Sequence, residues 1–211
     1  MNVTRFTHRY IAERPSIKDC MRRGLINYSA LSREICDNEG IERFDAVLMA
    51  CRRYFNRIKD QQSQERKITQ LVKQAKIRLK NKITVAILEK PRDFERLYAL
   101  QKQIRSERGD FNLVEGEEAV TVIFNQDYEA EIRESFKGRI KKVVGDLAQI
   151  TMIFNEKIET TSGVVSFIYG LLADNEVNVR EEMSCWTDLM MVIDEKDASK
   201  AMRVLSLEAV S

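Results

Sequence analysis

The 211 residues are 44% hydrophobic and 32% charged, which supplies enough apolar side chain for a packed core and excludes an intrinsically disordered chain. No stretch approaches the ~20 apolar residues of a membrane-spanning helix, and the N-terminus lacks the apolar core of a signal peptide. The sequence therefore predicts a cytoplasmic protein. At roughly 100 to 150 residues per domain, with smaller units common, this length predicts two or three folded units.

Charge is divided unevenly along the chain. Residues 1–81 carry 18 Lys and Arg against 9 Asp and Glu, a net charge of +9, whereas residues 82–211 carry 17 against 24, a net charge of −7. We therefore expect a basic N-terminal unit that could meet a polyanion, followed by an acidic remainder that would not.

The side chains that carry most enzyme and metal chemistry are scarce. The four cysteines form no C-x-x-C pair, and the single histidine, His8, lies in a segment that we interpret as a loose N-terminal arm. A zinc site and a Ser-His-Asp or Cys-His catalytic device have no local support. We expect a protein that is not an enzyme, with no catalytic residues, no metal site and no cofactor.

Three helices are predicted in the basic unit, over residues 16–23, 29–36 and 42–58. The third helix is amphipathic, with apolar side chains at i, i+3, i+4 and i+7 spacing. These lengths are those of a helix-turn-helix domain, in which the third helix would present basic side chains to DNA. The candidate DNA-binding residues are Arg43, Arg52, Arg53 and Arg57. Arginines on such a helix are also typical of a solvated face, so docking on a protein is an equal alternative.

A helix is predicted to link the basic unit to the remainder of the chain. Residues 59–75 are polar with a sparse apolar stripe, and from residue 77 the apolar positions alternate as in a strand. The predicted organisation is a basic trihelical domain at 1–58, a linking helix at 59–75, and two modules at 76–145 and 146–211.

Residues 76–211 repeat one order of elements twice. The first copy has a strand to about 88, a helix opening at Pro91, strands at 111–115 and 119–125, a helix from 127 to 136 and a strand near 139–144. The second has a strand at 147–154, a helix from 162 to 173, strands at 177–184 and 187–193, a helix through Ala198 and a terminal strand near 205–210. This βαββαβ order is that of ferredoxin-like modules, in which helices cover one face of an antiparallel sheet. The predicted fold class is α+β.

Three segments of the second copy resemble the regulatory ACT modules of aspartokinases. They are Ser162-Gly163-Val164-Val165 at a helix start, Val177-Asn178-Val179 at a strand start, and residues 192–201 at the last turn. The likeness covers residues 147–207 and is architectural over 77–145, where Glu89-Lys90-Pro91-Arg92 replaces the expected glycine-bearing loop. Nothing in residues 1–81 resembles an amino-acid kinase domain. The resemblance implies a regulator without its enzyme.

A candidate effector site is predicted where the second module's first helix begins. A glycine at the first turn lets the N–H groups of the helix start approach a ligand closely, and these groups favour a carboxylate. Ser162, Gly163 and Val164 supply this geometry. The resemblance implies that Asn155 and Asn178 hold the amino group of an amino-acid ligand. Alternatively, Gly163 only permits a tight turn and Asn178 only satisfies backbone groups at a strand start.

The sequence therefore predicts a non-catalytic metabolite sensor that binds an amino-acid effector and transmits this to DNA or to a protein target. The rival interpretation is a noncatalytic subunit that docks on an amino-acid biosynthetic enzyme. Sheet edges left open by each module predict a homodimer. No membrane partner is expected.

Overall fold

The computed structural model describes residues 2–59 and 64–207. The chain divides between Ser63 and Gln64 into two units. The helix predicted as a linker therefore begins the second unit.

Four described helices build the first unit. They are α1 (Val3–Ala12), α2 (Pro15–Arg22), α3 (Tyr28–Glu39) and α4 (Phe44–Ile58). The segment interpreted as a loose arm is helix α1, so that prediction is wrong. Asn2 caps α1 by accepting the Arg5 N–H, and the His8 ring lies edge-on to Tyr54 with 5.1 Å between ring centroids. All four helices contribute to one core, so the unit is larger than the predicted three-helix domain.

The second unit has one antiparallel sheet with helices packed on it. Its helices are α5 (Gln64–Gln74), α6 (Glu95–Ser106), α7 (Glu129–Ser135), α8 (Val164–Asp174) and α9 (Ala198–Leu205). Its strands are β1 (Lys76–Glu89), β2 (Phe111–Glu115), β3 (Ala119–Asn125), β4 (Ile140–Ile153), β5 (Val179–Cys185) and β6 (Asp188–Asp194). The strand order is β2-β3-β1-β4-β6-β5. The predicted α+β class is confirmed.

Two 14-residue strands, β1 and β4, run through both modules. The C-terminal half of β1 pairs with β4 in the first module, and the N-terminal segment from Lys76 to Lys80 pairs with β4 from Gln149 to Ile153 in the second. The strands predicted separately near 139–144 and 147–154 are thus one strand. The first module is nested within the second rather than preceding it.

A bulge marks where each long strand passes from one module to the other. The pairing of β1 with β4 shifts register between Lys80 and Ile83. Lys82 in β1 has φ +54° and Asp146 in β4 has φ +52°. This left-handed backbone conformation is uncommon for residues other than glycine and has an energetic cost. Such a bulge bends a strand and increases its twist, which lets one strand serve two modules.

The terminal strand predicted near 205–210 is wrong for the residues that the structure describes. Helix α9 continues to Leu205 and residues 206–207 form a turn; residues 208–211 lie outside the described part. The fourth-strand position of the second module is filled instead by the N-terminal half of β1.

Each module buries one face of the sheet under its helices. In the first module, α6 and α7 cover β1 and β3. In the second, α8 and α9 cover β4 and β6, and α5 joins the same core through Ile68, Leu71 and Val72. A smaller cluster on the opposite face includes Ile83, Leu147 and Val192. Helix α5 is therefore a structural part of the second module.

We predict that Leu71→Ala lowers the free energy of unfolding of the second unit by about 2 to 5 kcal/mol, because it leaves a cavity between α5 and the core. The matched control is Lys73→Ala on the exposed side of the same helix, which should change stability by less than about 0.5 kcal/mol. Urea unfolding followed through Trp186, the only tryptophan, measures both. If Leu71→Ala lowered the free energy of unfolding as little as Lys73→Ala is expected to, α5 would not contribute to the stability of the core.

Candidate ligand site

The connection from β4 to α8 is stiffened by local hydrogen bonds. Asn155 precedes a short 3₁₀ helix (Glu156–Thr160), and its Oδ1 accepts the Lys157 N–H at 3.1 Å. The hydroxyls of Thr160 and Thr161 donate to the Lys157 carbonyl oxygen at 3.3 and 2.7 Å. Side-chain bonds of this kind fix a loop that has no strand or helix partner.

Gly163 begins helix α8 in a conformation that glycine adopts without strain. Its φ is +91°, and as a glycine it has no side chain with which to cap α8. A Cβ placed on Gly163 would lie 3.2 Å from Cδ1 of Ile68 in α5. The glycine is therefore required both by the backbone angle and by the close approach of α5. The first-turn N–H groups of any helix carry a partial positive charge, and Gly163 itself contributes no side chain to balance it.

A pocket of about 520 Å³ lies between this loop and α5. Helix α5 supplies Lys67, Gln70, Leu71 and Gln74, and the loop supplies Lys157, Thr160 and Thr161. Among the side chains that the structure describes, the charged residues in this lining are the two lysines, and neither forms an ion pair with another described side chain. Two ammonium groups on one pocket contribute a positive potential that favours an anionic group.

Asn178 lines a different pocket. This one has a volume of about 240 Å³ and an apolar wall that includes Val85 and Leu147, with Lys142 and Glu181 also in its lining. Burial raises the pKa of the Glu181 carboxyl above its usual range. Asn155 and Asn178 do not line one pocket, because β6 lies between β4 and β5 in the sheet. Asn155, Ser162 and Gly163 lie in the loop and Val164 is the first residue of α8. None of these four is among the described residues that line the pocket next to α5, and Asn178 lies apart from them.

The pocket residues on α5 were not predicted from the sequence. Lys67, Gln70 and Gln74 recur at i, i+3 and i+7, which places them on one polar face of the helix. Their spacing was available, but their neighbour in space was not, since the loop that completes the pocket is far along the chain.

The four arginines predicted for DNA binding are all exposed on or beside α4. None of them forms an ion pair in the part of the chain that the structure describes. Arg53 and Arg57 lie one helical turn apart and so share a face, and Arg52 adjoins them. This surface of the first unit carries uncompensated positive charge.

Metal-binding and membrane-spanning features are both absent from the described part of the chain. No group of three or more His, Cys, Asp or Glu side chains among those that the structure describes is placed to hold a metal ion. No helix among the described residues combines the length and apolarity needed to cross a membrane.

Solved structures show the same fold, although no protein-family model and no curated protein matches the sequence. An aspartate kinase from Clostridium acetobutylicum is similar with a TM-score of 0.53 and 16% identity, over 62% of this chain and 34% of the kinase. The ligand-free regulatory subunit of the Thermus thermophilus aspartate kinase is similar with a TM-score of 0.50 and 12% identity, over 64% of this chain and 95% of the subunit. E. coli aspartokinase III, solved with aspartate and ADP, has a TM-score of 0.50 and 14% identity, over 64% of this chain and 33% of the enzyme.

The extent of these matches identifies the fold. This chain spans about a third of the two whole kinases but nearly all of the regulatory subunit. Its six-stranded sheet and helices have the ACT-type architecture of aspartokinase regulatory domains, as the resemblance in the sequence implied.

We predict opposite effects of adding a methyl group at two glycines of the α8 region. Gly163→Ala should lower the free energy of unfolding by about 1 to 2 kcal/mol, because φ at this position is left-handed. Gly170→Ala, inside α8 with open space around the new Cβ, should raise it by about 0.5 to 1 kcal/mol. Thermal unfolding of both variants tests this, and a stabilising Gly163→Ala change would contradict the assigned backbone conformation.

Proposed function

We propose that this protein is a non-catalytic regulator that binds a free amino acid in the pocket between α5 and the loop of residues 154–163. The observation that carries the proposal is that two lysines, Lys67 and Lys157, line one pocket and form no ion pair with any side chain that the structure describes. The similarity of the fold to aspartokinase regulatory domains supports the same role.

The pocket chemistry favours one class of amino acid. The ammonium groups of Lys67 and Lys157 can stabilise a carboxylate. The α-ammonium of the ligand would be held by neutral acceptors, namely the amide oxygens of Gln70 and Gln74 and the hydroxyl oxygens of the threonines. Because the described lining includes two cations and no carboxylate, we expect a preference for amino acids with a negative net charge.

Signal transmission would pass through α5. This helix supplies more than half of the residues that line the pocket and packs into the module core. It also follows the first unit directly in the chain. A ligand that binds more tightly when α5 is docked would stabilise the docked state of the element that attaches the first unit.

We expect an acidic amino acid to raise the melting temperature of the protein, and a neutral or basic one to have a smaller effect. Ligand at 100 times its Kd adds about 2.7 kcal/mol of stability. Lys157→Met and Gly163→Val should both abolish the shift, the first by removing a cation and the second by filling the space next to Ile68. Lys102→Met, an exposed lysine on α6, is the control and should leave it intact.

Two outcomes would contradict this proposal, one for the position of the site and one for the sensing function. If an amino acid binds and both the Lys157 and Gly163 variants retain it, the effector site lies elsewhere, and the pocket beside Asn178 is the first alternative. If no amino acid binds, the sensing role itself is wrong.

DNA is the output favoured by the uncompensated arginines of α4, and a protein target, such as a biosynthetic enzyme, is the alternative. A homodimer formed through the outer strands β2 or β5 would present two copies of this helix. The proposal therefore includes two further statements, that the protein dimerises and that the first unit binds DNA as a helix-turn-helix domain.

We predict that DNA binding by the full chain weakens steeply with salt, because each neutralised phosphate contributes a slope of about −0.9 to log K against log salt. Arg52→Ala with Arg53→Ala should reduce that slope by about 2. The charge-matched control, Arg5→Ala with Arg33→Ala on α1 and α3, should change it less. Fluorescence anisotropy at several salt concentrations measures all three proteins. Identical slopes for the two double variants would favour the protein-docking alternative.

A further inference from the structure

A pocket of about 500 Å³ occupies the matching position in the first module, where β1 leads to α6. Its charged lining residues are Glu89, Lys90, Arg92, Asp93, Arg96 and Arg139. Four of these are basic and two are acidic. The expected glycine-bearing loop is replaced here by residues 89–92, so the glycine that begins α8 has no counterpart at the start of α6.

Two of the six charges are already engaged. The Lys90 ammonium lies 2.8 Å from Glu115 Oε1 and donates to the Gly116 carbonyl oxygen at 3.1 Å. The Asp93 carboxylate accepts the Glu95 N–H at 2.9 Å and so occupies the N-terminal end of α6. An anion in this pocket could not use the helix start and would have to be bound by side chains.

The three arginines are not neutralised by other side chains. Arg92, Arg96 and Arg139 form no ion pair within the described residues, Glu89 of the same pocket included. Three guanidinium groups around one pocket repel each other, and the repulsion is relieved when an anion of matching charge binds between them.

The arginines come from backbone segments that are held in place. The Arg96 guanidinium carbon lies 5.8 Å from the ring centroid of Phe136, which is buried, and this contact restricts its rotamers. The Arg139 carbonyl accepts the Glu89 N–H at 2.8 Å, which joins the start of β4 to the end of β1. Arg92 follows Pro91, whose ring fixes the loop backbone.

We propose that Arg92, Arg96 and Arg139 form a second ligand site that binds a small, multiply charged anion, such as a phosphoryl compound or a polycarboxylate. Guanidinium groups bind the oxygens of both classes in bidentate geometry. A single carboxylate would engage one arginine and leave the others unpaired, so an anion of two or more charges fits best. This site does not depend on amino-acid binding beside α8.

Isothermal titration of the full-length protein with pyrophosphate and, separately, with citrate tests the proposal. We expect at least one of them to bind the wild-type protein. Arg92→Gln with Arg139→Gln should weaken that binding by about tenfold or more, since two charged hydrogen-bonding groups are lost. The charge-matched control is Arg78→Gln with Arg203→Gln, exposed positions outside the pocket, which should change the affinity by less than about twofold.

The two probes separate the ligand classes. Binding of pyrophosphate alone assigns the site to phosphoryl compounds, and binding of citrate alone assigns it to polycarboxylates. Unchanged melting temperatures of both double variants would show that they are folded, and Arg96→Lys, which keeps the charge but loses the planar fork, should also weaken binding. The proposal is overturned if neither anion binds, or if the control variant loses as much affinity as the pocket variant. Lys157→Met should leave anion binding unchanged, which keeps this result separate from the amino-acid site.

Discussion

The antiparallel pairing of β1 with β4 is the interaction on which the second unit depends. Both strands have 14 residues, and the two pair in each module. Every other strand attaches to one side of this pair, with β3 and β2 beside β1 and with β6 and β5 beside β4. Neither module is complete without both strands, since each takes half of each. The two modules are therefore expected to fold as one cooperative unit, and the left-handed residues Lys82 and Asp146 are the local strain that this sharing requires.

The sequence was informative where structure is determined locally. Strands β2 and β3 have the predicted bounds, because a glycine-containing turn separates two short alternating runs.

The incorrect strand predictions concern segments whose structure depends on the strand with which they pair. Gly145-Asp146 looks like a turn between two strands, yet it is a bulge within one, since β1 continues alongside. The repeat predicts a C-terminal strand in the second module, but the N-terminal half of β1 fills that position in the sheet. Helix α1 was predictable from the sequence, because its buried residues have helical spacing. They are Val3, Thr7, Tyr10 and Ile11.

The residues of the candidate site also include some that the sequence predicts and some that it does not. Gly163 was predictable because its function in the fold is local: a left-handed turn at a helix start needs glycine. The side of the pocket that α5 forms was not predictable, because Lys67 and Gln70 belong to a helix that precedes the whole repeat in sequence. The resemblance to ACT modules implies that Asn178 belongs to the same site, but Asn178 lines another pocket, and one strand, β6, lies between β4 and β5. Sequence patterns identify which residues begin an element, whereas a pocket is defined by which elements become neighbours.

The corresponding loops of the two modules differ in how the next helix begins and in which basic side chains lie nearby. In the second module α8 begins at Gly163, and two lysines line the pocket between the preceding loop and α5. In the first module Asp93 occupies the α6 start and arginine side chains surround the pocket. Three exposed guanidinium groups carry more charge than two ammonium groups, and their attraction for an anion is screened by salt. If both sites are occupied, each ligand acts on one end of the shared β1–β4 pair, since the two pockets lie where β1 and β4 respectively give way to a helix. A change in the twist of that pair at one end must be accommodated at the other, so the nested topology itself provides a physical route by which the two ligands could influence each other's affinity.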